Sequence, residues 1–172
     1  MKLFAGNAVN DGSVTNHPFL PQHETSEDGS PKNTPESLYD SIIALDCAYH
    51  FHTRFGFLQQ SFHRLSLGGR IALADICFDA SKLNTRRTRW ATLLTGMMPE
   101  QNMVTKEGYV KNMQMLGYED VQLEDISEDV FPGFTRFLKG RGGGWWAFGR
   151  WMEWWHKSAG ARFVLVSGRR PV

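Results

Sequence analysis

Tyr39-Asp40-Ser41-Ile42-Ile43-Ala44-Leu45-Asp46-Cys47-Ala48-Tyr49-His50-Phe51 opens with a short apolar run that ends at an acid. Residues 53–65 follow with Phe57, Leu58, Phe62 and Leu65 at helical spacing. Ser66-Leu67-Gly68-Gly69-Arg70 then predicts a turn into Ile71-Ala72-Leu73-Ala74-Asp75-Ile76-Cys77-Phe78. Continuous apolar runs of about 4–8 residues, rather than alternating ones, suit strands covered on both faces. A strand, a helix and a strand over roughly 30 or more residues form a right-handed parallel crossover. In such sheets the ligand sits beyond the carboxyl ends of the strands, which is where residues 46–51 and 75–78 fall.

These words resemble the second half of class I S-adenosylmethionine-dependent methyltransferases, especially the small-molecule group called methyltransferase type 11. The matching residues are Tyr39-Asp40 before the first strand, Leu45-Asp46-Cys47-Ala48-Tyr49-His50-Phe51 at its end, and Leu65-x-x-Gly68-Gly69-Arg70-Ile71-Ala72-Leu73-Ala74-Asp75. The resemblance spans residues 36–126 and, more loosely, a closing strand at 161–167. It implies an α/β, Rossmann-like fold: a parallel sheet with an antiparallel closing strand and helices on its faces. The fold is expected to be incomplete, because the family's glycine-rich turn after its first strand has no counterpart before Tyr39. Gly140-Arg141-Gly142-Gly143-Gly144 has no buried strand leading into it and reads as a flexible hinge. One N-terminally truncated methyltransferase-like domain over residues 1–172 is therefore expected.

The resemblance also implies S-adenosylmethionine as cofactor. Residues 1–9 are similar to the family's third strand and the turn after it, which places Gly6, Asn7 and Ala8 beside the adenine. Asn7 stands where the family carries an acid and can still accept through its carbonyl oxygen. A frayed terminus without a ligand role is the alternative. Leu45, Asp46 and Cys47 would line the cofactor, with Asp46 at its methionine end. The other reading of Asp46 is an acid that satisfies loop amides. With so few of the family's contacts, these residues alone are expected to bind the cofactor weakly.

Composition bounds the rest. A chain of 172 residues, 41% hydrophobic and 22% charged, is ordinary for one globular domain. A formal charge of +1 gives no global pull toward nucleic acid. There is no 18-residue apolar run for a membrane span. Cys47 and Cys77 lack metal-type spacing, so no metal site is expected, and a reduced, cytoplasmic setting is the simplest. Residues 10–36 are rich in Asn, Ser, Thr, Pro, Gly and acids, which predicts a long disordered insertion. A genuine insertion and a misassigned coding sequence both produce such a segment.

Further along, residues 84–98 predict a helix over the cleft. Thr105 can cap a helix that runs to Leu116 and ends at Gly117. Residues 117–126 alternate as a strand. The Trp-rich segment within 139–157 carries a wide apolar face and a polar stripe of Arg150, Glu153 and Lys157. It reads as a helix packed over the sheet, a lid over an apolar substrate, or an interfacial helix that touches a membrane.

For chemistry, His50 is a candidate general base, imidazole being the side chain that titrates near neutral pH. Asp75 ends the adjacent strand and would orient His50 or accept a proton itself. The alternative for His50 is a packed or surface histidine. His52 and His63 read as a turn residue and an exposed helical residue. The implied reaction is methyl transfer to an O, N or C nucleophile on a small, apolar molecule. The rival is a non-catalytic remnant that binds a partner; a nicotinamide enzyme would need the same glycine turn. With no neighbour before it in the sheet, the strand at 42–45 would leave an edge open to self-association.

Overall fold

The computed structural model describes residues 39–172 apart from Asn84. The Gly6-Asn7-Ala8 turn and the insertion at 10–36 lie outside the described residues. β1 (Tyr39–Leu45) passes through a 3-10 turn (Ala48–His50) into α1 (Arg54–Arg64), and the chain returns as β2 (Leu65–Phe78). α2 (Ala80–Leu83), α3 (Arg86–Leu94), a second 3-10 turn (Glu100–Asn102) and α4 (Lys106–Met115) follow. β3 (Glu119–Asp125), α5 (Ser127–Gly140), α6 (Gly143–Lys157) and β4 (Ala161–Arg169) complete the order.

The four-stranded sheet has the order β1-β2-β4-β3. β1 and β2 are parallel, as the crossover requires, while β4 runs antiparallel between β2 and β3. The expected N-cap at Thr105 is in place, its Oγ1 accepting from the Gly108 amide at 3.0 Å, and Thr53 Oγ1 caps α1 in the same way, accepting from the Gly56 amide at 3.3 Å.

Two expectations need correction. The turn read at residues 66–70 lies inside β2, as an irregularity rather than a break. Gly68 takes φ +76°, and a Cβ on Gly69 would stand 2.9 Å from the Ser66 carbonyl oxygen and 3.1 Å from that of Tyr39. The two glycines thus let the strand kink against β1 without leaving the sheet. The second correction is α5, for which the sequence suggested no element. Pro132 and Gly133 interrupt its run, yet Pro132 sits in the second turn and costs one backbone bond that packing overrides.

Packing divides the sheet. On one face Ile42, Ala44, Ile71, Leu73, Val164 and Val166 meet Phe57 and Leu58 of α1 and Tyr109 and Met113 of α4. On the other, Ile76, Phe78 and Ala161 meet Phe131, Leu138, Met152 and Trp155 of α5 and α6. That second layer covers only the carboxyl end of β2. Beyond it, the paired rows Ile43–Ala72–Ser167–Gln122 and Leu45–Ala74–Leu165–Glu124 share one face. Ile43 is 68% and Leu45 69% exposed. The expected two-sided cover therefore fails for β1, since among the described residues no helix reaches that corner.

A bare apolar corner beside an edge strand favours association. Ile43→Thr with Leu45→Lys is expected to change stability by no more than about 0.5 kcal/mol and to raise the monomer fraction in light scattering. An unchanged mass distribution would assign association to another surface.

Candidate active site

The β1–β2 ladder ends with the Asp46 amide donating to the Ala74 carbonyl at 2.8 Å. Asp46 then adopts φ +53°, a conformation that aspartate tolerates and branched residues resist. The chain turns off the sheet and places Asp46 and Tyr49 at a cavity of about 320 Å³ beside the strand end at Ile76. α5 supplies Val130, Phe131 and Phe134 to the wall, α6 supplies Phe148 and Met152, and Met97 and Phe163 complete it. Asp46 is the single charged residue in that lining among the described residues. Burial, reinforced by the Asp46 carboxylate, raises the Tyr49 pKa, so the phenol stays protonated and able to donate.

Cys47 follows, half-buried. Burial first, then the Asp75 and Asp46 charges, push its thiol up, which makes it a poor nucleophile at neutral pH. Burial likewise pushes Cys77 up to about 12. Among the described residues no cluster of three or more His, Cys, Asp or Glu could hold a metal ion.

The expected pairing of His50 with Asp75 is not what the fold assembles. Asp75 is fully buried; its Oδ2 lies 3.1 Å from Arg54 Nε and accepts from the Tyr109 hydroxyl at 2.8 Å. Its Oδ1 accepts from the Ile76 amide at 2.9 Å. Arg54 in turn donates through Nη2 to the carbonyls of Ile76 and Asn102, both at 2.9 Å. Asn102 closes the network by accepting from the Arg54 amide at 2.7 Å and donating to the Tyr49 carbonyl at 3.1 Å. Asp75 is thus a positioning residue that ties the end of β2 to α1 and α4. His50 is exposed, and its ring lies 4.1 Å from that of Tyr49. His63 is exposed on α1, as expected, and His52 is exposed in the turn before it.

Several site residues escaped the sequence reading. An acid at the end of a buried strand demands a cation, yet Arg54 could be singled out only once α1 was known to start there. The α5 wall was missed with the helix itself. The Trp-rich segment proves divided. Trp155 is fully buried, its Nε1 donating to Thr92 Oγ1 at 2.9 Å, while Trp145 and Trp146 are exposed. Its polar stripe forms as read, with Glu153 accepting from Lys157 at 3.1 Å and Arg150 at 3.2 Å, and also from Lys139 at 3.1 Å. A second cavity, about 250 Å³, lies between α5 and α6 among Arg136, Lys139, Glu153 and Lys157 and shares with the first only Phe131. No described helix is long and apolar enough to cross a membrane.

No family model matches the chain. It is similar to erythromycin 3''-O-methyltransferase of Saccharopolyspora erythraea, 27% identical over 115 residues, which cover 60% of this chain and 37% of that protein. Phosphoethanolamine N-methyltransferase 2 of Haemonchus contortus, solved with phosphomonomethylethanolamine and S-adenosylhomocysteine, matches in fold with a TM-score of 0.64. Identity there is 9%, over 78% of this chain and 34% of that one. The [4+2]-cyclase SpnF also matches, at TM-score 0.59 and 18% identity, over 81% of this chain and 53% of that one. The chain spans about a third to a half of the length of these proteins. In fold, and in sequence over 60% of its length, the chain resembles the class I S-adenosylmethionine-dependent methyltransferases of small molecules.

Proposed function

We propose that the chain serves S-adenosylmethionine-dependent methyl transfer to a small, uncharged, apolar molecule. The observation that carries this reading is the cavity at the strand ends, walled by Phe131, Phe134, Phe148, Met152 and Phe163 with one carboxylate at its rim. A phosphorylated acceptor would meet Asp46 there and no cation, whereas a neutral apolar one loses water on entry.

The cofactor supplies an electrophilic methyl group on a positively charged sulfur. Leu45, Asp46 and Cys47 would hold its methionine end. The Asp46 carboxylate fits a cationic ligand, since an ammonium can donate to it. Tyr49 directs its hydroxyl to the Asp46 carboxylate, and its oxygen can accept from an acceptor hydroxyl in the cavity. The aromatic wall excludes water and fixes the acceptor's pose, which is the larger part of such catalysis. His50, exposed beside Tyr49, would take the proton of a hydroxyl or amine acceptor. Asp75 holds the strand end through Arg54.

Transfer of label from S-adenosylmethionine in saturating excess tests this. Neutral terpenols are expected to accept the label and their phosphorylated counterparts to remain unlabelled. Asp46→Asn should lower kcat/KM by about 10–100-fold, the loss of one charge-assisted hydrogen bond. Equal labelling of phosphorylated acceptors, or none of either class, would overturn the proposal.

A further inference from the structure

We infer that the tip of the α5–α6 hairpin is a docking surface for an anionic lipid bilayer, set so that an apolar acceptor passes from the membrane into the strand-end cavity. Phe137 is 59% exposed, Trp145 54% and Trp146 52%, all at the end of the hairpin where α5 passes into α6. The exposed Arg141 between the helices stacks over both Phe137 and Trp145, 5.4 and 5.7 Å from their ring centres. Aromatic rings with a guanidinium among them suit the headgroup layer, where one part of a side chain meets hydrocarbon and another meets phosphate.

Charge complementarity points to lipid of one sign. The hairpin, residues 127–157, carries five cations, Arg136, Lys139, Arg141, Arg150 and Lys157, against three carboxylates; Glu128 and Asp129 open α5 at the end away from the tip, which leaves one along the rest. That carboxylate, Glu153, already accepts from Lys139, Arg150 and Lys157, so the hairpin keeps a positive excess near the exposed rings. The bare corner of the sheet is different. Its two rows carry Glu124, the next row on that face sets Arg70 and Arg169 against Glu119, and none of the three holds an aromatic ring for the headgroup layer.

The tip is also continuous with the cavity. Phe134, itself exposed, lines the cavity, and Phe137 follows it one turn along α5, about 4.5 Å nearer the tip. Val130, Phe134 and Phe137 lie along one side of the helix, at the spacing that aligns side chains. A molecule dissolved in the bilayer would slide along that side without crossing water. Docking stands without the methyl-transfer reading, and only the delivery of the acceptor rests on it.

Flotation of the 172-residue chain with vesicles of phosphatidylglycerol and phosphatidylcholine tests the docking without any cofactor. The chain should float with the mixed vesicles, more weakly with phosphatidylcholine alone, and less as salt rises. Tryptophan emission should shift to the blue on binding. Phe137→Ser with Trp145→Ser and Trp146→Ser, all at exposed positions, should lower partitioning by at least about tenfold, and Arg141→Gln should remove most of the preference for anionic vesicles. Ile43→Thr with Leu45→Lys should leave partitioning unchanged. Equal flotation of the triple variant would overturn the proposal. So would absence of binding at low salt, or concentration-dependent self-association that the triple variant abolishes while flotation stays weak. Loss of methyl transfer to a soluble neutral acceptor would count against the reaction and leave the docking result standing.

Discussion

Arg54→Met is expected to destabilise the chain by about 3–5 kcal/mol, because it leaves the charge of Asp75 buried with no cation beside it. Asp75 is fully buried and Arg54 nearly so, and no other cation reaches Asp75 within ion-pair distance among the described residues. The substitution also releases the Ile76 and Asn102 carbonyls that Nη2 satisfies and takes the guanidinium off the Tyr109 ring, 4.7 Å away. Chemical unfolding followed by far-UV circular dichroism reads the loss. Adding Asp75→Asn should recover a substantial part of it, since the uncompensated charge goes and the amide can still accept from Tyr109. If Arg54→Met alone costs less than about 1 kcal/mol, water reaches Asp75 and the buried network is not what holds the strand end.

Trp155→Ala should cost a similar amount, about 3–5 kcal/mol. The indole is fully buried, stacks with Trp151 at 5.3 Å and meets Phe78 edge-on at 5.8 Å. Its removal also takes away the donor to the buried Thr92 hydroxyl. Trp146→Ala, nine residues earlier on the same helix, should stay within about 0.5 kcal/mol of the parent. Thermal unfolding of the two variants side by side separates the packed end of α6 from its exposed end. A comparable loss from both would mean that the helix packs along its whole length.

The crossover was legible because its signals are local and agree: an apolar run, helical spacing and a second apolar run, all within residues 39–78. The closing strand was legible at 161–167 for the same reason, since Ala161-Arg162-Phe163-Val164-Leu165-Val166 has few other uses, while its antiparallel direction came only from the family resemblance. What could not be read was partnership. Asp46 and Asp75 look alike in sequence, each an acid after an apolar run. The fold gives Asp75 a buried arginine and leaves Asp46 in a left-handed turn at a cavity. That difference depends on Arg54 and Asn102, which lie 21 and 27 positions from Asp75. The division of the tryptophans was hidden too, because a helix with aromatics on most sides has no periodicity to show which one faces inward. α5 fell to a local rule, the proline that tertiary packing overrode.

The place of β4 in the sheet has a consequence for synthesis. β2 pairs Arg70 with Arg169 and Phe78 with Ala161, so its inner edge waits for a segment made more than 80 residues later. At ordinary elongation rates of about 5–20 residues per second, the apolar run at 71–78 stands without that neighbour for about 4–20 s. Pairing of such distant segments is also slow once both exist. The yield of folded protein should therefore depend on temperature and translation speed more steeply than the equilibrium stability does.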